Sequence, residues 1–241
     1  MSDNFVPITL PSQCLTYPEV KPEDIKARAY QGSEEELLSQ INPLNLERNY
    51  LEVMKKVIQG IDPLKLTLGD RLYFIVWECI NSYMDVIKVK TVCGNCLQEV
   101  EVSVDLKNLG VIKLPDSYKE PYEVTLPSGK QIKLRLLTVA DEIEIEKYQQ
   151  KQGKSHLYRY ARSIVSDDNI VEKLKLLENS PTIKDVAKVR AFHEKFYHGP
   201  DFNYIYKCSH CGEEDDVEVP FRLDFIFPTG ETLTKTFGEK F

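Results

Sequence analysis

Two Cys-x-x-Cys pairs, Cys93-Gly-Asn-Cys96 and Cys208-Ser-His-Cys211, are the residues here whose type and spacing point to chemistry. Thiolates are soft ligands, and two tight turns that deliver four of them form a closed tetrahedral site of the kind structural zinc occupies. Residues 97–207 lie between the pairs, against roughly 15–20 residues in an ordinary ribbon. One metal shared by both pairs would therefore clamp distant parts of the chain. Two separate sites, reduced thiols or a disulfide within each pair are the other uses open to these residues. His210 is expected at the surface, because the interior residues of such a turn face away from the metal. With Cys93, Cys96, Cys208 and Cys211 filling all four positions, a zinc ion has no place for water and does no Lewis-acid chemistry.

The flanking residues say what must hold these turns. Val86–Val92 and Gln98–Val104 bracket the first pair with alternating apolar and polar residues, and Tyr204–Tyr206 and Val217–Phe221 bracket the second. Each pair is expected on an antiparallel hairpin. Before them, Phe5–Ser12 carries two prolines and should be extended or an edge strand. Helices are expected from Ser33, with that serine as cap, to Ile41, over the amphipathic stretch Leu46–Ile58, and over the apolar stretch Leu68–Met84 behind Thr67 and Asp70. Further on, Tyr122–Leu126 and Gln131–Leu136 flank turn residues. Helices should then run from Thr138 to Gln150, from Ser155 to Val165, from Ile170 to Glu178, and from Thr182 to a Gly199-Pro200 stop.

The fold class is α+β, helix-rich with small antiparallel hairpins and a split four-cysteine zinc ribbon. The division reads as an extended arm and hairpin (1–32), a helical segment (33–85), two ribbon halves (86–106 and 202–228), an inserted hairpin and helical segment (107–201) and a tail (229–241) that could add a strand to a partner. An echo runs through it. Thr9-Leu-Pro-Ser12 matches Thr125-Leu-Pro-Ser128, and Ile25-Lys-Ala-Arg28 matches Ile132-Lys-Leu-Arg135, each followed by an acidic helix start. One hairpin-then-helix unit is used twice, with a longer linker in the first copy.

Composition narrows the function. Of 241 residues, 31 are basic and 38 acidic, giving a formal net charge of −7, and Glu213-Glu-Asp-Asp216 follows the second pair directly. A ribbon that bound a phosphate backbone would need clustered cations there, so a nucleic-acid-binding regulator is the disfavoured alternative. No apolar run approaches a membrane span and the start lacks a signal peptide, so a cytoplasmic protein with no membrane partner is expected. Phosphate loops and hydrolase motifs are missing. A redox role would need a thioredoxin-like context around the pairs. Asp141–Glu146 reads as a solvated face, His156 as exposed, His193 and His198 as surface residues at a helix end, Cys14 as a loop thiol and Cys79 as core. No enzyme is expected.

Leu10-Pro-Ser12, the first cysteine pair, the Leu126–Lys130 hairpin with Lys133-Leu-Arg135, Tyr197-His-Gly-Pro-Asp201 leading to Cys208–Gly212, and Val219–Phe221 with Phe225–Pro228 together resemble the baseplate hub proteins of T-even-type bacteriophages. The order of these motifs carries the resemblance, over roughly residues 5–230. It implies a zinc-binding hub subunit or hub assembly factor of a contractile tail, with Cys93, Cys96, Cys208 and Cys211 as the ligands. It further implies other tail hub proteins as partners, and a location in the virion baseplate and, during assembly, the host cytoplasm.

Overall fold

A computed structural model describes residues 4–154 and 156–228. Strand β1 (Val6–Pro7) pairs antiparallel with β2 (Lys26–Ala27), and β2 with β3 (Ile58–Gln59). Between β2 and β3 lie helices α1 (Gly32–Ser39) and α2 (Leu46–Val57), and α3 (Leu68–Ser82) follows. The first long hairpin is β4 (Val86–Val92) with β5 (Glu99–Asp105). A short strand β6 (Gly110–Ile112) leads to the hairpin β7 (Tyr122–Thr125) and β8 (Gln131–Leu134). Helices α4 (Val139–Gln152), α5 (His156–Ser163), α6 (Ile170–Glu178) and α7 (Ile183–Lys195) come next. Strand β9 (Gly199–Asp201) pairs back onto β6, and the second long hairpin is β10 (Asn203–Lys207) with β11 (Glu214–Glu218). The architecture is α+β: helices packed among small antiparallel sheets.

Apolar periodicity explains the helices. In α2 one face sends Tyr50, Val53, Met54 and Val57 fully into the core, each worth about 1.5–3 kcal/mol of transfer free energy. Helix α3 begins at Thr67, whose hydroxyl accepts the Asp70 N–H, and buries Phe74, Ile75 and Cys79. These side chains share one core with Val89, Val102 and Val104 from the first long hairpin. Tyr206, Val217, Val219 and Ile226, from the far end of the chain, belong to the same core. A second core, from Leu114 to Phe196, joins β7 and β8 to α5, α6 and α7.

The echoed motifs make the same bonds. The Ser12 N–H donates to Asp70 Oδ1 at 2.8 Å, and the Ser128 N–H donates to Asp185 Oδ1 at 3.0 Å. Arg28 donates to Glu34 and to the Ala29 carbonyl, while Arg135 donates to Asp141 and to the Leu136 carbonyl. Glu34 and Asp141 each close a capping box, with Gln31 and Thr138 respectively. Burial opposes ionisation of Glu34, but Arg28, the Gln31 N–H and Ser33 outweigh it and hold the carboxyl at about 2.

Several expectations require correction. The α1 cap is Gln31 and not Ser33, because Glu34 reaches back to the Gln31 N–H at 2.8 Å. Helix α7 ends at Lys195, short of Gly199-Pro200. Those residues instead open β9, with Gly199 at φ +133°, a conformation only glycine adopts readily. His198 is buried: one ring nitrogen lies 2.6 Å from Thr67 Oγ1 and the other 3.0 Å from the Phe196 carbonyl. His193 is half-buried, and burial together with Arg159 and Arg135 pushes its pKa down to about 4. Cys14 packs in the core. Asp141 and Glu142 do not form a solvated face; both are buried in ion pairs, Asp141 with Arg135 and Arg162, Glu142 with Arg159. The tail from residue 229 lies outside the described residues. None of the helices described is long and apolar enough to cross a membrane.

Candidate metal centre

Each cysteine pair sits where two paired strands turn. Strands β4 and β5 pair without interruption from Val86 opposite Asp105 to Val92 opposite Glu99, which projects Cys93 and Cys96 beyond the sheet end. Strands β10 and β11 do the same from Asn203 opposite Glu218 to Lys207 opposite Glu214. Alternation buries Val100, Val102, Val104, Val217 and Val219 behind the turns, so the hairpins are seated by the core and not by the turns alone.

The two turns are closed by matching hydrogen bonds. The Cys93 N–H donates to the Gln98 carbonyl at 3.0 Å and the Leu97 N–H to the Cys93 carbonyl at 2.9 Å. In the second turn the Cys208 N–H donates to the Glu213 carbonyl and the Gly212 N–H to the Cys208 carbonyl, both at 2.9 Å. The closing residue is left-handed in both, Leu97 at φ +59° and Gly212 at φ +76°. Glycine takes this conformation at little cost, whereas a leucine is strained by about 1 kcal/mol or more.

Asp215 fastens one turn to the other. Its Oδ2 accepts the Gly94 N–H at 2.7 Å and the Tyr206 hydroxyl at 3.2 Å, and Asn95 Nδ2 donates to the Glu214 carbonyl at 3.3 Å. The N–H groups of Gly94 and Asp216 hold the Asp215 carboxyl below its ordinary pKa. Sequence reading missed this residue, grouping it with the solvated acids of Glu213–Asp216. The signal that could have found it is the two-residue alternation of β11, which turns Asp215 inward while Glu214 and Asp216 stay exposed.

The four sulfurs converge. Cys93, Cys96, Cys208 and Cys211 Sγ atoms all lie within 4.8 Å of one another. Cys93 and Cys211 are 3.9 Å apart, and Cys96 and Cys208 are 3.8 Å apart. Four sulfurs at about 2.3 Å from a central zinc would be separated by about 3.8 Å along each tetrahedral edge, so the donor set fits a tetrahedral cation. Cys93 and Cys208 are buried, Cys96 is half-buried and Cys211 is exposed.

The electrostatics favour a cation as well. Backbone N–H groups of Cys211 and His210 draw the Cys208 thiol down to about 6. A backbone hydrogen bond with Glu213 favours the Cys211 thiolate, but desolvation and its neighbouring sulfurs push it up to about 12. Thiols this close resist joint ionisation, and a divalent cation is what lets all four become thiolates. His210 is exposed, as expected for the interior of the turn.

A protein-family comparison matches residues 13–228 to the family described as T4 bacteriophage base plate protein. The chain belongs to that family. Searches of curated proteins and of solved structures found no match. As a baseplate protein it is a structural component of a phage tail and works among other tail proteins. The cluster of four cysteines is a site where such a component can bind a metal.

Proposed function

We propose that this baseplate protein works at the tail hub, as a hub subunit or as a factor needed to assemble the hub. It acts through protein contacts, without enzymatic activity, and carries one structural zinc held by Cys93, Cys96, Cys208 and Cys211. The observation that carries this reading is the convergence of four sulfurs from two widely separated hairpins in a chain of baseplate family. Residues 107–201 form a unit inserted between the ribbon halves 86–106 and 202–228, a division supported by the separate core from Leu114 to Phe196. Zinc bound there would complete the ribbon, and structural sites of this kind contribute on the order of 10 kcal/mol in small peptides. The protein acts in the host cytoplasm while tails are built, and in the virion if it stays in the hub.

Native mass spectrometry of the full chain with and without a chelator tests the metal. One zinc per chain, lost together with the fold in Cys93→Ser or Cys208→Ser, is the expected result. Two metals per chain, or unchanged zinc and melting temperature in either variant, would overturn the single shared site. Mass spectrometry of purified virions then separates the two hub roles: several copies per particle mark a subunit, and none marks an assembly factor.

A further inference from the structure

The correspondence between the halves of the chain runs well beyond the hairpins. A constant 115 positions, as from 93 to 208 and from 96 to 211, separates Thr67 from Thr182, Asp70 from Asp185 and Leu97 from Gly212. Thr67 and Thr182 both cap helices, and Asp70 and Asp185 both hold the serine N–H of a Leu-Pro-Ser turn. Leu97 and Gly212 both close a cysteine turn with positive φ. The chain is thus two copies of one unit, each running from a Leu-Pro-Ser hairpin through helices to a cysteine pair.

Inside the molecule the copies meet at a short bridge between two helix starts. The Leu68 N–H, at the start of α3, donates to the Leu137 carbonyl at 3.2 Å. The Val139 N–H, at the start of α4, donates to the Leu66 carbonyl at 2.9 Å, making an antiparallel pair of Thr67 and Thr138. Both N–H groups belong to the first helical position, where the helix offers no partner of its own. Leu68 is half-buried against the cluster of Leu137, Ile145 and Tyr158.

The arrangement is not reciprocal. The counterpart of Leu66–Leu68 is Pro181–Ile183 at the start of α7, and the counterpart of Leu137–Val139 is Tyr30–Gly32 at the start of α1. Ile183 is 80% exposed where its equivalent Leu68 is half-buried. Gln31 and Gly32 are exposed, with open space where a Gly32 Cβ would point. One molecule therefore presents both sides of a second bridge at its surface, the condition for a head-to-tail contact between identical chains.

We propose that a second copy of this chain docks at this edge, pairing Pro181–Ile183 of one molecule antiparallel with Tyr30–Gly32 of the other. The Ile183 N–H donates to the Tyr30 carbonyl, the Gly32 N–H donates to the Pro181 carbonyl, and the Ile183 side chain covers Tyr30. The contact is limited to this bridge. Gly69 lets the His198 backbone pack where no side chain fits, and its counterpart is Lys184.

Sedimentation velocity of the metal-loaded full chain, from micromolar to near-millimolar concentration, tests this. The expected result is reversible growth beyond the 27.8 kDa monomer. Gly32→Pro removes the docking N–H while proline fits the first helical position, and Gln31 already has the extended conformation a following proline requires. That variant and Ile183→Glu should each weaken self-association at least tenfold, with unchanged melting temperature and metal content. A chain that stays monomeric throughout, or association undiminished in both variants, overturns the proposal.

Discussion

Glu78→Gln should stabilise the fold, and more strongly as pH rises. Glu78 is fully buried in α3, where Oε2 accepts only the Ser82 hydroxyl at 3.3 Å and Oε1 has no hydrogen-bond partner. Burial pushes its pKa from 4.5 up to about 9, with Ser82 and the Arg28 charge offsetting only part of that. Between these two values the folded carboxyl stays protonated while the unfolded chain ionises, so stability falls as pH rises through this window and is fully present below 4.5. At pH 7 the cost of holding the proton is about 3 kcal/mol, at about 1.4 kcal/mol per pH unit. Glutamine keeps the shape and the bond from Ser82 and carries no such cost. Urea unfolding of wild type and variant at three pH values between 6 and 8, with metal present throughout, reads the difference. The expected gain widens by about 1.4 kcal/mol per unit. A gain that does not change with pH, or a loss, would mean that the Glu78 carboxylate is charged inside the fold, and the reasoning would fail.

Two further perturbations address the repeated unit. Asp70→Ala leaves the buried Ser12 N–H without its acceptor and the Tyr17 hydroxyl with only Thr67 Oγ1 at 3.3 Å, which should cost about 2–3 kcal/mol in urea unfolding. Asp185→Ala removes the equivalent acceptor from Ser128 and Ser180 and should cost about 1–2 kcal/mol, less because Ser128 is exposed. Gly69→Ala places a Cβ on the His198 carbonyl oxygen, and backbone cannot yield there without shifting β9. A loss of about 3 kcal/mol or more is expected in thermal melts, against no measurable loss for Gly32→Ala, whose Cβ meets nothing.

What sequence could and could not convey divides along physical lines. The cysteine turns, the helices behind Thr67, Thr138 and Thr182 and the two Leu-Pro-Ser hairpins depend on local chemistry: capping, alternation and turn residues a few positions apart. Helix α6 is found at the expected residues for the same reason. The hairpin echo was visible because the bonds it encodes, serine to aspartate and arginine to the helix start, need the same residue types in both copies. Buried charge was not visible. Whether Asp141 and Glu142 face water depends on Arg159 and Arg162 arriving from α5 as well as on nearby Arg135, and the stretch 141–146 itself holds only acids and isoleucines. His198 was misplaced because its partner, Thr67, is 131 positions away. Asp215 was hidden by acidic neighbours that do face solvent.

The core shared by both ends of the chain has a consequence for synthesis. Phe74, Ile75 and Cys79 are completed by Tyr206, Val217 and Ile226. The first hundred residues therefore leave the ribosome with apolar surface whose cover is incomplete until residue 226 emerges. At about 5–20 residues per second, translation of residues 106–226 keeps that surface open for roughly 10 s. The second core, formed within residues 114–196, can close while the first still waits. The part that carries the first cysteine pair therefore has its full core only after residue 226 has emerged, later than the second core can close. Cys93 and Cys96 wait through the same interval for Cys208 and Cys211 before the four sulfurs can meet.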